Sequence, residues 1–252
     1  MLVLLSPAKK LDFETSAVDV ESTQPRFLKK SAELIEILKA KSKSEVAELM
    51  KLSDALAELN VERYSCWKKR HSATNAHPSL LCFKGAVYAA LDAGTFNKTQ
   101  LKFANKQVRI LSGLYGVLRP FDLMQPYRLE MGTKLNNACG SNLYKFWGSD
   151  LSDALNAEGE EVIVNLASNE YFKAVVAKNL QAQLITPQFK EKKDGDYKMI
   201  GVFAKTARGL MTRYIIENKV TNVAELKKFN DAGYKFNKPL STATEWVFTR
   251  SS

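Results

Sequence analysis

The sequence predicts a mixed α/β protein, with a central mixed sheet, helices on its faces and a helical cap near the N-terminus. Three observations point there. Short apolar runs, LVLLS at 2–6, VRILS at 108–112 and EVIVNLAS at 161–168, read as buried strands. Between them lie stretches whose apolar residues recur every three or four positions, the spacing of a helix face. Strands and helices interleave as far as EWVFTR at 245–250, with no internal repeat, low-complexity tract or linker, so residues 1–252 read as a single domain.

Each element has its local reason. After LVLLS a polar stretch runs to Gln24. PRFLKKSAELIEILKAK then carries Phe27, Leu34, Ile35 and Leu38 on one stripe, with Pro25 suited to a first turn. SEVAELMKL, SDALAELN with Ser53 as its N-cap, and VERYSCWKKR continue the helical cap over 25–75. LLCFKGAVYAALDA at 80–93 reads as one helix with a glycine in its middle. VRILS is followed by turn chemistry in GLYGVLRP, and SNLYKFWGSDLSDALNA is helical again. LITPQFK and YKMIGVFAK read as strands, the DG at 194–195 joining them as a hairpin, before the helix KTARGLMTRYIIENK.

Composition limits the function classes. Hydrophobic residues make up 45% of the 252 and charged residues 25%, ordinary values for a globular protein. No apolar run reaches the roughly 18 residues of a membrane helix, and LVLLS is too short for a signal-peptide core, so a cytoplasmic location is expected. Cys66, Cys82 and Cys139 are odd in number and irregularly spaced, which fits reduced thiols. Lys and Arg total 37 against 27 acids, a net charge of +10 that suits a polyanionic partner as well as simple solubility.

Two junctions look chemically equipped. NLAS-NEYFK and VFAK-TARGLM each run from an apolar strand-like segment into a helix, where ligands collect beyond strand ends. Ser168 suits an N-cap, Glu170 the first turn, and Tyr171 would stand beside it. Lys205 and Arg208, three apart, share a helical face, and Gly209 permits close approach of a backbone. In LMQPYRLEMG, an extended chain after Pro126 places Arg128 and Glu130 on the same side, with Tyr127 between Pro126 and Arg128. Ser6 and Lys9 follow a strand, although Lys9 and Lys10, on this segment alone, read better as solvated lysines than as phosphate contacts. His71 and His77, with Cys66, match no metal-ligand spacing, and no cofactor fingerprint is present: GLYG at 113–116 is neither GxGxxG nor a phosphate-binding loop.

SPAKKLD, FKGAVY, ILSGLYGVLRPFDLMQPYRLEMGTKL, LYKFWG, VNLASNEYFKAV and AKTARGLM together resemble the YaaA family of bacterial peroxide stress proteins, over essentially the whole chain. The resemblance implies a family-specific fold with a basic cleft, production under hydrogen peroxide stress, a lowering of free intracellular iron, and binding of double-stranded DNA. It brings no settled enzymatic activity. The family motifs fall here on Ser6, Pro7, Lys9, Asp12, Gly113, Tyr115, Gly116, Arg119, Pro120, Tyr127, Arg128, Glu130, Asn165, Ser168, Glu170, Tyr171, Lys205, Arg208 and Gly209. Two positions depart: the acid usual in FxGDVY is Ala86, and the usual lysine pair before ARG is Lys205-Thr206. The helix-hairpin-helix element associated with the family has no clean match, since GLYG has one residue too many between its glycines and FKGAVY has a single glycine.

The expected site is therefore one polar cleft. Lys9, Arg119, Arg128, Lys205 and Arg208 would hold DNA or another anion, and Ser6, Tyr115, Tyr127, Ser168 and Tyr171 would line it. Glu130 and Glu170 are the acid/base candidates if the cleft instead belongs to an enzyme acting on a base, nucleotide or nucleoside.

Overall fold

The computed structural model describes residues 1–14, 20–193 and 195–251. The strands, in chain order, are β1 (Leu2–Leu5), β2 (Lys10–Leu11), β3 (His77–Pro78), β4 (Phe83–Lys84), β5 (Val108–Ser112), β6 (Gly116–Leu118), β7 (Leu123–Met124), β8 (Val162–Asn165), β9 (Gln183–Lys193), β10 (Asp196–Lys198), β11 (Lys235–Phe236) and β12 (Glu245–Arg250). The α-helices are α1 (Leu28–Lys39), α2 (Lys43–Met50), α3 (Asp54–Cys66), α4 (Ser79–Cys82), α5 (Ala86–Leu91), α6 (Lys98–Gln107), α7 (Leu143–Trp147), α8 (Asp150–Asn156), α9 (Asn169–Phe172) and α10 (Gly201–Glu217).

The fold is mixed α/β, as the alternation of strand and helix patterns predicts. One sheet takes strands from both ends of the chain in the order β11-β12-β9-β8-β1-β5-β6, with β10 on β9. Its centre, β12-β9-β8-β1-β5, is parallel, while β6, β10 and β11 pair antiparallel. Burial explains the letters. β1 and β5 are wholly buried and read as continuous apolar runs, whereas β9 shows buried residues only at alternate positions. β1 lies between β5 and β8, so the chain leaves it towards one side and later returns on the other. That reversal opens a crevice beyond the carboxyl ends of β1 and β8.

The helical cap is α1, α2 and α3. α1 buries Leu34, Ile35 and Leu38, and Phe27, its half-buried N-cap residue, meets the Trp147 ring at 5.5 Å. Ser42 and Glu45 close a reciprocal capping box at the start of α2. Ser53 stands at the N-cap of α3 without a side-chain cap bond, and α3 ends at Cys66 rather than running on to Arg70. Pro25 falls before α1, outside its first turn.

Two expectations need correction. The single helix over 80–93 is two helices, α4 and α5, separated by the strand β4 and by Gly85 at φ +150°, a left-handed conformation that breaks the helical course. YKMIGVFAK is not a strand throughout: β10 ends at Lys198 and α10 begins at Gly201. The buried residues Ala204, Ala207, Met211 and Ile215 set a helical period from that point, leaving Val202 and Phe203 exposed. The hairpin itself forms, with Lys193 opposite Asp196, while Asp194 of its turn lies outside the described residues.

Candidate functional site: a cationic cleft at the strand ends

At the carboxyl end of β1, Ser6 meets the segment that follows β8. Its Oγ accepts the Ser168 N–H at 2.8 Å and lies 3.2 Å from the Ser168 Oγ, while Tyr88 donates to the Ser6 carbonyl at 2.8 Å. These bonds join the loop after β1, the helix α5 and the start of α9 around one opening. Gly209 closes the far side. A Cβ there would stand 2.1 Å from the Val87 carbonyl oxygen, so α10 can lie against α5 only with glycine at this point. The backbone that Gly209 admits is thus the protein's own, and this contact places Lys205 and Arg208 at the opening.

The result is a cavity of about 540 Å³. Lys9, Lys10, Lys84, Arg128, Lys205 and Arg208 line it, against two acids, Glu130 and Glu170. Ser6, Ser168, Tyr88, Tyr127 and Tyr171 supply further polar groups, and Val87, Leu129 and Leu166 supply apolar wall.

Arg128 and Glu130 do point the same way, and pair at 3.0 Å. The second oxygen of Glu130 takes Lys9 at 2.9 Å, so one carboxylate sits between two cations. The backbone here is anchored from behind by Tyr64, which donates to the Arg128 carbonyl. Arg128 Nε is nevertheless buried with no hydrogen-bond partner. Arg208 forms no ion pair or side-chain hydrogen bond among the described residues, and burial lowers its pKa from the usual guanidinium value. Glu170 is tied differently: its Oε1 accepts the Gly132 N–H at 2.9 Å, and its carbonyl accepts Tyr144 at 3.0 Å. Burial, then the nearby Tyr127, Glu170 and Glu130, raises the Tyr171 hydroxyl pKa, so this group stays a neutral donor. Tyr127 is raised by burial too, and its hydroxyl meets Ser112 Oγ at 2.6 Å.

The structure thus brings together Ser6, Lys9, Tyr127, Arg128, Glu130, Ser168, Glu170, Tyr171, Lys205 and Arg208. Two expected members are elsewhere. Tyr115 is fully buried behind the wall, where its hydroxyl meets Trp67 Nε1, His71 Nε2 and the Gln125 N–H. Arg119 is outside, paired with Asp122 at 3.4 Å. Both flank a turn whose facing depends on distant contacts. Ser168 does occupy the N-cap of α9, but without a side-chain cap bond; its Oγ instead accepts from the Ser6 hydroxyl at 3.2 Å. Lys205 and Arg208 are not at a strand-to-helix junction either, since α10 has already run a turn before them.

Lys84 and Tyr88 were not legible as site residues, and Lys10 read as a solvated lysine. The two lysines arrive because β2 pairs with β4, setting Lys10 directly opposite Lys84, and Tyr88 follows on α5. The FKGAVY segment that carries Lys84 and Tyr88 was the available signal, and Ala86 within it also lines the cavity. Among the described residues no three His, Cys, Asp or Glu side chains converge as a metal-ligand group, and His71 serves the Tyr115 network. Cys66, Cys82 and Cys139 are free thiols. No helix among the described residues is long and apolar enough to cross a membrane.

A UPF0246 protein of Hahella chejuensis is 52% identical over 254 residues, covering 99% of this chain and 99% of its own. A UPF0246 protein of Saccharophagus degradans is 54% identical over 254 residues, with 99% of each chain covered. The family profile described as "Peroxide stress protein YaaA" matches residues 1–240, and the chain belongs to that peroxide stress protein family.

Proposed function

We propose that this peroxide stress protein binds double-stranded DNA, seating backbone phosphates on the rim of the cleft and so shielding the strand from oxidative damage. The observation that carries the proposal is the imbalance of the cleft: six cationic side chains against two acids, with Arg208 half-buried and unpaired among the described residues. A phosphate oxygen would supply the missing acceptor. Lowering of free iron belongs to the same proposal as an effect in the cell, and is checked separately by measuring free iron in cells lacking the protein.

Titration of a short duplex by fluorescence anisotropy across a salt series tests the binding. Affinity should fall steeply with salt, and Arg208→Ala should flatten the logarithmic slope by about one, as loss of a single phosphate contact does. Absence of binding at low salt would sink the proposal.

A second function is favoured by one specific feature. The cavity is concave and carries Glu130 and Glu170 on its walls, the arrangement of an enzyme acting on a base, nucleotide or nucleoside. Incubation with deoxynucleosides and deoxynucleotides, followed by chromatography, separates the two: a released base or phosphate that disappears in Glu130→Gln or Glu170→Gln assigns chemistry to the cleft.

A further inference from the structure

We infer that the cavity receives one nucleotide turned out of a DNA strand, while apolar side chains beside the rim press on the stack it leaves; this rests on the DNA binding proposed above. At about 540 Å³ the cavity falls within the ~300–1,000 Å³ of small-ligand pockets. It has room for a nucleotide and none for a duplex. Rim contacts alone would leave that volume empty, so it calls for an occupant of its own.

The interior suits a base together with a phosphate. Val87, Leu129 and Leu166 offer apolar wall, and the ring of Tyr88 is fixed by its bond to the Ser6 carbonyl. Arg128 presents a buried Nε–H with no acceptor, and Arg208 a guanidinium with no partner among the described residues. Base edges and phosphates are rich in acceptors, and a guanidinium serves both.

α10 adds an independent observation. Val202 is 59% exposed in its first turn, three residues before Lys205, and Met199, 48% exposed, lies in the segment that leads into the helix. Apolar side chains left in water beside cationic ones are the equipment with which DNA-binding proteins unstack a base step. Extruding a nucleotide requires a pocket for it and something to occupy the stack, and α10 carries parts of both.

The test uses a duplex with a single 2-aminopurine opposite thymine. Binding is followed by anisotropy, extrusion by 2-aminopurine fluorescence and by permanganate reactivity of the opposing thymine. The expected result is binding with a rise in fluorescence and in thymine reactivity. Ala86→Trp, which adds bulk to the cavity wall and removes no cation, should abolish both signals at protein concentrations where anisotropy shows the duplex bound. If that variant does not fold, free deoxynucleoside monophosphates added to the native protein should suppress both signals ahead of the anisotropy. Duplex binding with neither signal overturns the extrusion and leaves the DNA function standing. Signals that survive both Ala86→Trp and the competing nucleotides also overturn it, because the nucleotide would then lie outside this cavity. Failure to bind duplex at all removes the DNA function itself.

Discussion

Arg109 and Arg128 are both arginines drawn back from water beside a glutamate, and they differ in what is left over. Arg109, on β5, is 5% exposed and uses all three nitrogens: Nε and Nη2 on Glu158 at 3.2 and 2.8 Å, Nη1 on the carbonyls of Asn105 and Val108. Arg128 makes one bond to Glu130 and keeps a buried Nε with no acceptor, and Arg208 across the cleft keeps its whole guanidinium unpaired among the described residues. Buried polar groups in folded proteins are nearly always satisfied, so a group that is not is held for something else. The arginine on β5 has its partners; those of the cleft do not.

The strongest test of that contrast removes one carboxylate from each side. Glu158→Ala should cost roughly 3 kcal/mol, because it strands a buried arginine, and denaturant melts will show it. Glu130→Ala should cost less than about 1 kcal/mol, since Lys9 is exposed and Arg128 already tolerates a missing partner. Equal losses would end the distinction.

Acid probes the sealed side alone. Burial lowers the His71 pKa to about 4, outweighing the upward pull of the ring's hydrogen bond to the Lys69 backbone. The unfolded imidazole takes up its proton near 6.5 while the folded one resists to about 4, so stability should fall as pH drops through that window, by on the order of 3 kcal/mol in all. Glu158 adds to the loss at lower pH. Burial pushes its carboxyl up, but the hydrogen bonds and charge of Arg109, with Arg26 and Arg119, hold it below the usual range. Its contribution is present above the ordinary carboxylate pKa and disappears as pH falls through the depressed one. Denaturant titrations from pH 7 to pH 4 measure the imidazole, and carrying them on to about pH 2 measures the carboxylate; a flat profile down to pH 4 would contradict the buried neutral imidazole.

The smallest effect on stability is expected at Arg208. Arg208→Met should leave stability unchanged or raise it by up to about 1 kcal/mol, while DNA binding weakens. Paired melts and anisotropy titrations decide it. A large loss of stability would mean that Arg208 is structural after all.

The same contrast explains what could be read in advance. β1, β5 and β8 are short, continuous and buried on both faces, so their letters alone mark them. Arg128 and Glu130 were readable as a pair because two residues of extended chain determine it. Tyr115 and Arg119 were not, since the side of the turn that faces the cleft is set by Trp67, His71 and Asp122, far away in sequence or across the loop. The break at Gly85 was hidden because a glycine tolerated in a helix and one at φ +150° are the same letter. α10 was misread at its start for a related reason: Val202 and Phe203 lengthen an apolar run that the fold leaves in water.

The ribbon of β2 and β4 at the mouth of the cleft has a thermodynamic consequence. Lys10 faces Lys84 across it, a like-charge pair only partly relieved by the bond of Lys84 to Asp12 at 3.1 Å. Any anion that settles there knits the ribbon, and by reciprocity a tighter ribbon holds that anion better. Simple electrolyte should therefore act with two signs, slowing amide exchange in the ribbon of the free protein while loosening DNA from the same lysines. A nucleic acid and a small counterion would compete for one place and order it alike.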